Sequence, residues 1–176
     1  MPASSVVNIP PKKARSIVLQ AQGLDRLRPY GSGKNATLRS LQQLSYLQID
    51  TISVVARAHH HTSWVRNAKY QETDLDHWQT TDRKIFEYWS HAAAYLPIEH
   101  YRFCLPQMKK WKSRESEWFQ SGQNLQQQVL DRIAAEGPLM AKDFENPEKK
   151  RQGWWDWKPA KKALEKLFFE GRLMIS

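Results

Sequence analysis

At 176 residues the chain can bury one good core, or one core plus a smaller module, and its net charge of +9 with a pI near 9.7 favours a polyanionic partner, nucleic acid first. The single cysteine, Cys104, excludes an internal disulfide and suits a reducing compartment. No apolar run approaches the roughly 18 residues that span a bilayer, and the N-terminus around Pro2, Ser4 and Ser5 lacks the apolar core of a signal peptide, so a cytoplasmic protein is expected.

Residues 1 to 8 read as a frayed tail. Pro10 and Pro11 suit the start of a helix whose face is marked by Ala14, Ile17, Val18 and Ala21, and Gly23 ends it. Lys12, Lys13 and Arg15 crowd its first turn, where the helix dipole disfavours cations; either a phosphate lies nearby or the turn is simply solvated. Residues 28 to 36 form a turn-rich loop. Its two glycines and Lys34 lack the strand, spacing and helix of a phosphate-binding loop, which rejects a nucleotide site. Thr37 is placed as the cap of a second helix with Leu38, Leu41 and Leu44 on its buried side.

The stretch that follows, Tyr46 to His61, organises the rest. Leu47, Ile49 and Ile52 want a core, while Gln48 and Asp50 sit between them. If Leu47 to Thr51 is extended, Gln48 and Asp50 point the same way and Ile49 the other; in a helix they would diverge by roughly 200°. The β-branched run that follows favours the extended reading. Beyond it, His59, His60 and His61 invite a metal site, but adjacent side chains diverge in either regular structure and no H-E-x-x-H or cysteine spacing accompanies them. Arg57, Trp64, Arg66 and Tyr70, basic and aromatic groups interleaved, suit phosphate contact and base stacking better.

Asp74 to Asp82 reads as a short helix with Leu75 and Trp78 facing inward. Lys84 to His91 reads as a strand with Glu87, Trp89 and His91 on one face, a surface pair with a core aromatic or a second wall beside Asp50. Residues 92 to 97 connect it to a helix over Ile98 to Trp111. The charged run 109–123 closes in Ser-Gly and is read as a linker, dividing the chain into a first domain, 1–108, and a second, 124–176. In the second, Asn124 and Gln127 form a capping-box pattern with Leu125, Val129 and Ile133 inward. Gly137-Pro138 stops that helix and starts a shorter one through Phe144. A loop with Lys149, Lys150, Arg151, Gly153, Trp154 and Trp155 follows. Pro159 opens a helix with Ala160, Leu164, Leu167 and Phe168 on one face and Lys158, Lys162 and Lys166 striping the other. Gly171 ends it and Arg172 to Ile175 begin a strand. Helix, turn, helix, turn, basic helix and strand is the order of a winged helix-turn-helix, here incomplete because the wing's second strand is missing at Ser176. The fold class expected is mainly α with small β-sheets, arranged as tandem winged helices.

Two motifs, Gln-Ile-Asp-Thr-Ile-Ser-Val-Val-Ala-Arg-Ala-His-His at 48 to 60 and Phe-Glu-Tyr-Trp-Ser-His-Ala-Ala-Ala-Tyr-Leu-Pro at 86 to 97, resemble the YcaQ-like crosslink-repair DNA glycosylases. Ala-Gln-Gly-Leu at 21 to 24 and the tryptophan-rich second module add weaker likeness. The resemblance implies tandem winged helices on duplex DNA, excision of alkylated purines, and unhooking of interstrand crosslinks at the N-glycosidic bond. It places the catalytic Gln-apolar-Asp motif on Gln48, Ile49 and Asp50. Asp50 would be the anion and base, and Gln48 would hold the water or a sugar oxygen. Arg57, His59, His60, Trp64, Arg66, His91, Lys158, Lys161, Lys162 and Lys166 are the expected DNA-contacting residues. A monomer is expected, cytoplasmic and at the nucleoid when bound, with no cofactor, metal or membrane. The competing readings are a winged-helix regulator without catalysis and a metal-dependent hydrolase using the histidine run.

Overall fold

The computed structural model describes residues 7–113, 123–144 and 159–176, and its chain parts after Ile98 into two compact units. The described chain is mainly helical with a small three-stranded antiparallel sheet, as the patterning predicts. The expectations that fall on 114–122 of the linker, on the loop 145–156 and on Lys158 lie outside the described residues.

The first unit opens with α1 (Pro11–Ala21), entered from Pro10. The apolar face predicted at Ala14, Ile17, Val18 and Ala21 exists, but no residue of α1 is buried against the described chain. α2 (Lys34–Leu44) starts three residues earlier than Thr37, from Gly33 at a φ of 77°. Thr37 therefore lies inside the helix, and its hydroxyl has a different task. It donates to Asp74 Oδ2 at 2.8 Å and accepts from Asn67 Nδ2 at 3.0 Å. Asn67 is wholly buried; its amide also donates to the Gly33 carbonyl at 3.0 Å, and its Oδ1 accepts from the N–H groups of Gly33 and Lys69 at 3.2 and 3.1 Å. These bonds tie the turn-rich loop, α2 and the chain after α3 (Ala58–Arg66) into one buried polar knot. Removing water from such groups costs little only while every partner is in place.

Around that knot lies the core of Leu41, Leu47, Tyr70, Leu75, Trp78 and Ile85, with Leu38 and Tyr95 packed on it. The predicted short acidic helix is α4 (Thr73–Asp76) continuing into a π-helical turn (His77–Thr81), and Leu75 and Trp78 do face inward. The indole N–H of Trp78 donates to the Lys34 carbonyl at 3.0 Å, which satisfies the buried ring's polar atom.

The sheet has the order β1-β3-β2, with β1 (Leu47–Gln48), β2 (Ile85–Trp89) and β3 (Ala93–Pro97) all antiparallel. β3 is the strand that the residue pattern does not announce, because alanines have weak strand preference. It forms because β1 and β2 pair with it on both sides, Gln48 opposite Ala94 and Glu87 opposite Tyr95. β1 is shorter than the sequence suggests. After the Ile49 N–H donates to the Ala93 carbonyl at 2.8 Å, Asp50 Oδ1 accepts the Ile52 N–H at 2.8 Å and turns the chain away. Ile49 is half-buried, and Ile52, expected in the core, is exposed.

In the second unit, α5 (Tyr101–Ser113), α6 (Gln123–Glu136) and α7 (Pro159–Phe169) pack together. Val129, Ala163 and Leu167 form its core, flanked by Leu125, Ile133 and Leu164. Asn124 lies one residue inside α6 rather than capping it. The helix predicted through Phe144 is a single 3-10 turn, Ala141–Phe144. Gly171 ends α7 at a φ of 71°, and a side chain there would strike Met108 of α5. The strand expected over Arg172 to Ile175 is not formed: the N–H groups of Arg172 and Leu173 donate back to the Leu167 carbonyl at the end of α7, at 2.9 and 3.2 Å, and the chain continues without regular structure.

Candidate active site

An open cleft of about 400 Å³ lies in the first unit where the chain leaves β1. Gln48 and Asp50 both line it, so the extended geometry around Ile49 does bring the two polar side chains to one site. One face of α3 also lines the cleft. Ala58, Thr62 and Arg66 recur every four residues and therefore stand above one another along that helix. Gln22, just past α1, and Leu44 with Tyr46 at the end of α2 complete the lining.

The three histidines do three different things. His59 is only 3 % exposed, and its Nδ1 accepts the backbone N–H of Asp50 at 3.3 Å. That bond assigns the ring proton to Nε2. Burial first, then the charges of His60 and Arg57, push its pKa down to about 4, with Asp50 opposing. A neutral ring thus stands directly behind the motif and fixes the Asp50 backbone. It is a wall of the cleft rather than an exposed contact. His60 is turned elsewhere: its Nδ1 meets the Tyr70 hydroxyl at 2.7 Å and its Nε2 lies 3.4 Å from Glu72. Burial lowers the His60 pKa while Glu72 opposes, and burial raises that of Tyr70, so the phenol keeps its proton and donates it to the ring. His61 is exposed with its ring edge against Trp64 at 5.3 Å. Among the described residues no group of three or more His, Cys, Asp or Glu is gathered where it could hold a metal ion.

Arg66 is buried, and its Nε and Nη1 donate to the carbonyls of Gln22 and Thr62, each at 2.9 Å. Burial lowers its pKa, but a guanidinium stays charged, so the lining of the cleft includes a fixed cation. Arg57 is exposed at the start of α3. Trp64 faces away from the cleft toward His60 and Tyr70. Of the face predicted on β2, Glu87 and Trp89 do not line the cleft, and burial raises the Glu87 pKa. His91 follows the strand and packs edge-on against Tyr46 at 5.3 Å, beside the cleft rim. On α7, Lys161 lies 3.9 Å from Glu165 and Lys166 lies 3.6 Å from Glu170, and Lys162 is half-buried, so the predicted stripe is partly engaged within its own helix.

Gln22, Tyr46 and Thr62 are cleft residues that composition and motif reading pass over. The four-residue spacing of Ala58, Thr62 and Arg66 is a signal for Thr62 once α3 is known to be helical. Gln22 lies within the Ala-Gln-Gly-Leu segment that carries part of the family likeness.

An acid and an amide on a polar cleft, in a strongly basic chain, define a site suited to hydrolysis on a nucleic acid. The family model described as DNA glycosylase AlkZ-like matches residues 41–176, and the chain belongs to that family. It is a DNA repair glycosylase by family, with DNA as its partner. No solved structure matches the chain. Among the described residues no helix is long and apolar enough to cross a membrane.

Proposed function

We propose that the protein hydrolyses the N-glycosidic bond of N7-alkylated purines in duplex DNA and unhooks interstrand crosslinks made through such bases. The observation that carries this is the convergence of Gln48 and Asp50 on one open cleft. An N7-alkylated guanine is already cationic, so when the bond from sugar C1′ to the base breaks, the electron pair neutralises the leaving base and no general acid is needed. The sugar left behind has oxocarbenium character. Asp50 stabilises that charge and takes the proton of the water that attacks C1′; Gln48 positions the water or a sugar oxygen. A base tethered to the opposite strand cannot swing into an enclosed pocket, and an open cleft accommodates it.

The element order of the first unit supports a winged-helix reading: α2, β1, α3, α4 with its π-turn, then the β2–β3 hairpin, with β1 on the outer edge of β3. The helix before the hairpin carries Asp74 and Asp76 in its first turn, which disfavours it as a groove reader. Arg57, exposed at the start of α3 next to the cleft residue Ala58, suits phosphate better. The proposal includes a monomer acting in the cytoplasm.

The test is release of N7-methylguanine from duplex DNA. Asp50→Asn keeps the shape and removes the anion, so the rate falls roughly 10²–10⁴-fold, with duplex binding retained; Gln48→Ala falls less. Equal release by Asp50→Asn and the unaltered protein, or no release by either, defeats the proposed chemistry and leaves a DNA-binding protein without it.

A further inference from the structure

The segment between Asp50 and α3 carries three apolar side chains that the first unit leaves in water. Ile52 is 74 % exposed, Val54 92 % and Val55 87 %. Residues of this kind normally seek a core, and a cluster of them at one place marks a contact surface. The loop is built rather than slack. Asp50 Oδ1 accepts the Ile52 N–H at its start, and an antiparallel bridge between Ser53 and Arg57 closes its neck, leaving Val54 and Val55 at the tip. It leaves the cleft at Asp50 and returns to it at Ala58 and His59, both of which line the cavity. Two residues of chain hold Ile52 within about 7 Å of Asp50, Cα to Cα.

From this we infer that the loop 52–55 is a wedge that enters the base stack of duplex DNA beside the lesion while Asp50 addresses its sugar. This rests on the reading of the cleft as the glycosylase site. A base stack is the apolar surface that DNA exposes when a step is opened, and short aliphatic side chains are the groups proteins insert there. Arg57, exposed at the loop's neck, is placed for the phosphate that flanks the opened step. The continuity of the loop with the cleft at both ends and the chain's charge of +9 favour DNA over an apolar protein surface as the occupant.

The perturbation is V54T/V55T, which keeps the branched shape of both side chains and replaces a methyl with a hydroxyl. Opening of the stack is read with 2-aminopurine next to the lesion, in the Asp50→Asn background, so the readout does not depend on excision. The Asp50→Asn protein raises the fluorescence on binding duplex, and adding V54T/V55T abolishes the rise. In the chain with Asp50 intact, V54T/V55T slows excision from duplex by roughly tenfold but leaves excision from a single-stranded lesion unchanged, since a single strand has no paired stack to open. No fluorescence rise in the Asp50→Asn protein, or equal slowing on duplex and single strand, overturns the wedge. So does unaltered duplex behaviour, including the case where V54T/V55T instead disperses a self-associated form in sedimentation. Failure of the cleft reading is distinguishable: it shows as excision that does not respond to Asp50→Asn, with the fluorescence test still readable.

Discussion

The ring of His59 makes acid stability a sharp test of how the motif is held. The imidazole is 3 % exposed and accepts the Asp50 N–H, and its pKa falls from 6.5 to about 4 chiefly through burial. Between those values the unfolded chain takes up a proton that the folded chain refuses. Folding stability from this group is therefore fully present above pH 6.5 and is lost as the pH falls toward 4. Between pH 7 and pH 5 the linkage amounts to about 2 kcal/mol. Most carboxylates titrate below that window, so it isolates the imidazoles. His59→Asn removes the titration and offers a carbonyl oxygen to the same N–H. The assay is urea unfolding followed by circular dichroism at pH 7, 6 and 5. The unaltered protein should lose about 2 kcal/mol more than His59→Asn over that interval; His60, also lowered by burial, contributes equally to both. Equal pH slopes would mean that the ring is not held neutral in the fold, and the argument for its grip on Asp50 would go with it.

Thr37→Val deprives Asp74 of a donor and Asn67 of an acceptor inside the buried knot, and should lower stability by roughly 1–3 kcal/mol in a thermal melt. A change within experimental error would show that the knot relaxes without cost. Lys161→Gln, Lys162→Gln and Lys166→Gln together should reduce the slope of log Kd against log salt for duplex binding, by about 0.9 for each phosphate no longer neutralised. An unaltered slope removes α7 from the DNA surface.

The pattern of residues determined the elements whose signal is local. The run from Pro159 to Gly171 shows a proline at its start, an apolar face and a terminating glycine, and α7 follows it. Leu75 and Trp78 face inward where helical spacing puts them. Gln48 and Asp50 share a site because one extended residue between them is enough to align their side chains. What depends on distant partners was not legible. Alanine-rich β3 becomes a strand only because two neighbours pair its backbone. Thr37 carries the composition of a cap, yet a helix beginning at Gly33 places its hydroxyl within reach of Asp74 and Asn67, 37 and 30 residues further along the chain. Three consecutive histidines look alike as letters. Helical geometry sends His59 inward to the Asp50 backbone, His60 to Tyr70 and Glu72, and His61 to solvent. The β-branched run after Asp50 has strand composition, but its backbone turns at the aspartate before a ladder can form, and the side chains a sheet would have buried stand in water at the edge of the cleft. Local preference sets what a segment can become; whether its backbone and its apolar groups find partners is decided by the parts of the chain that fold against it.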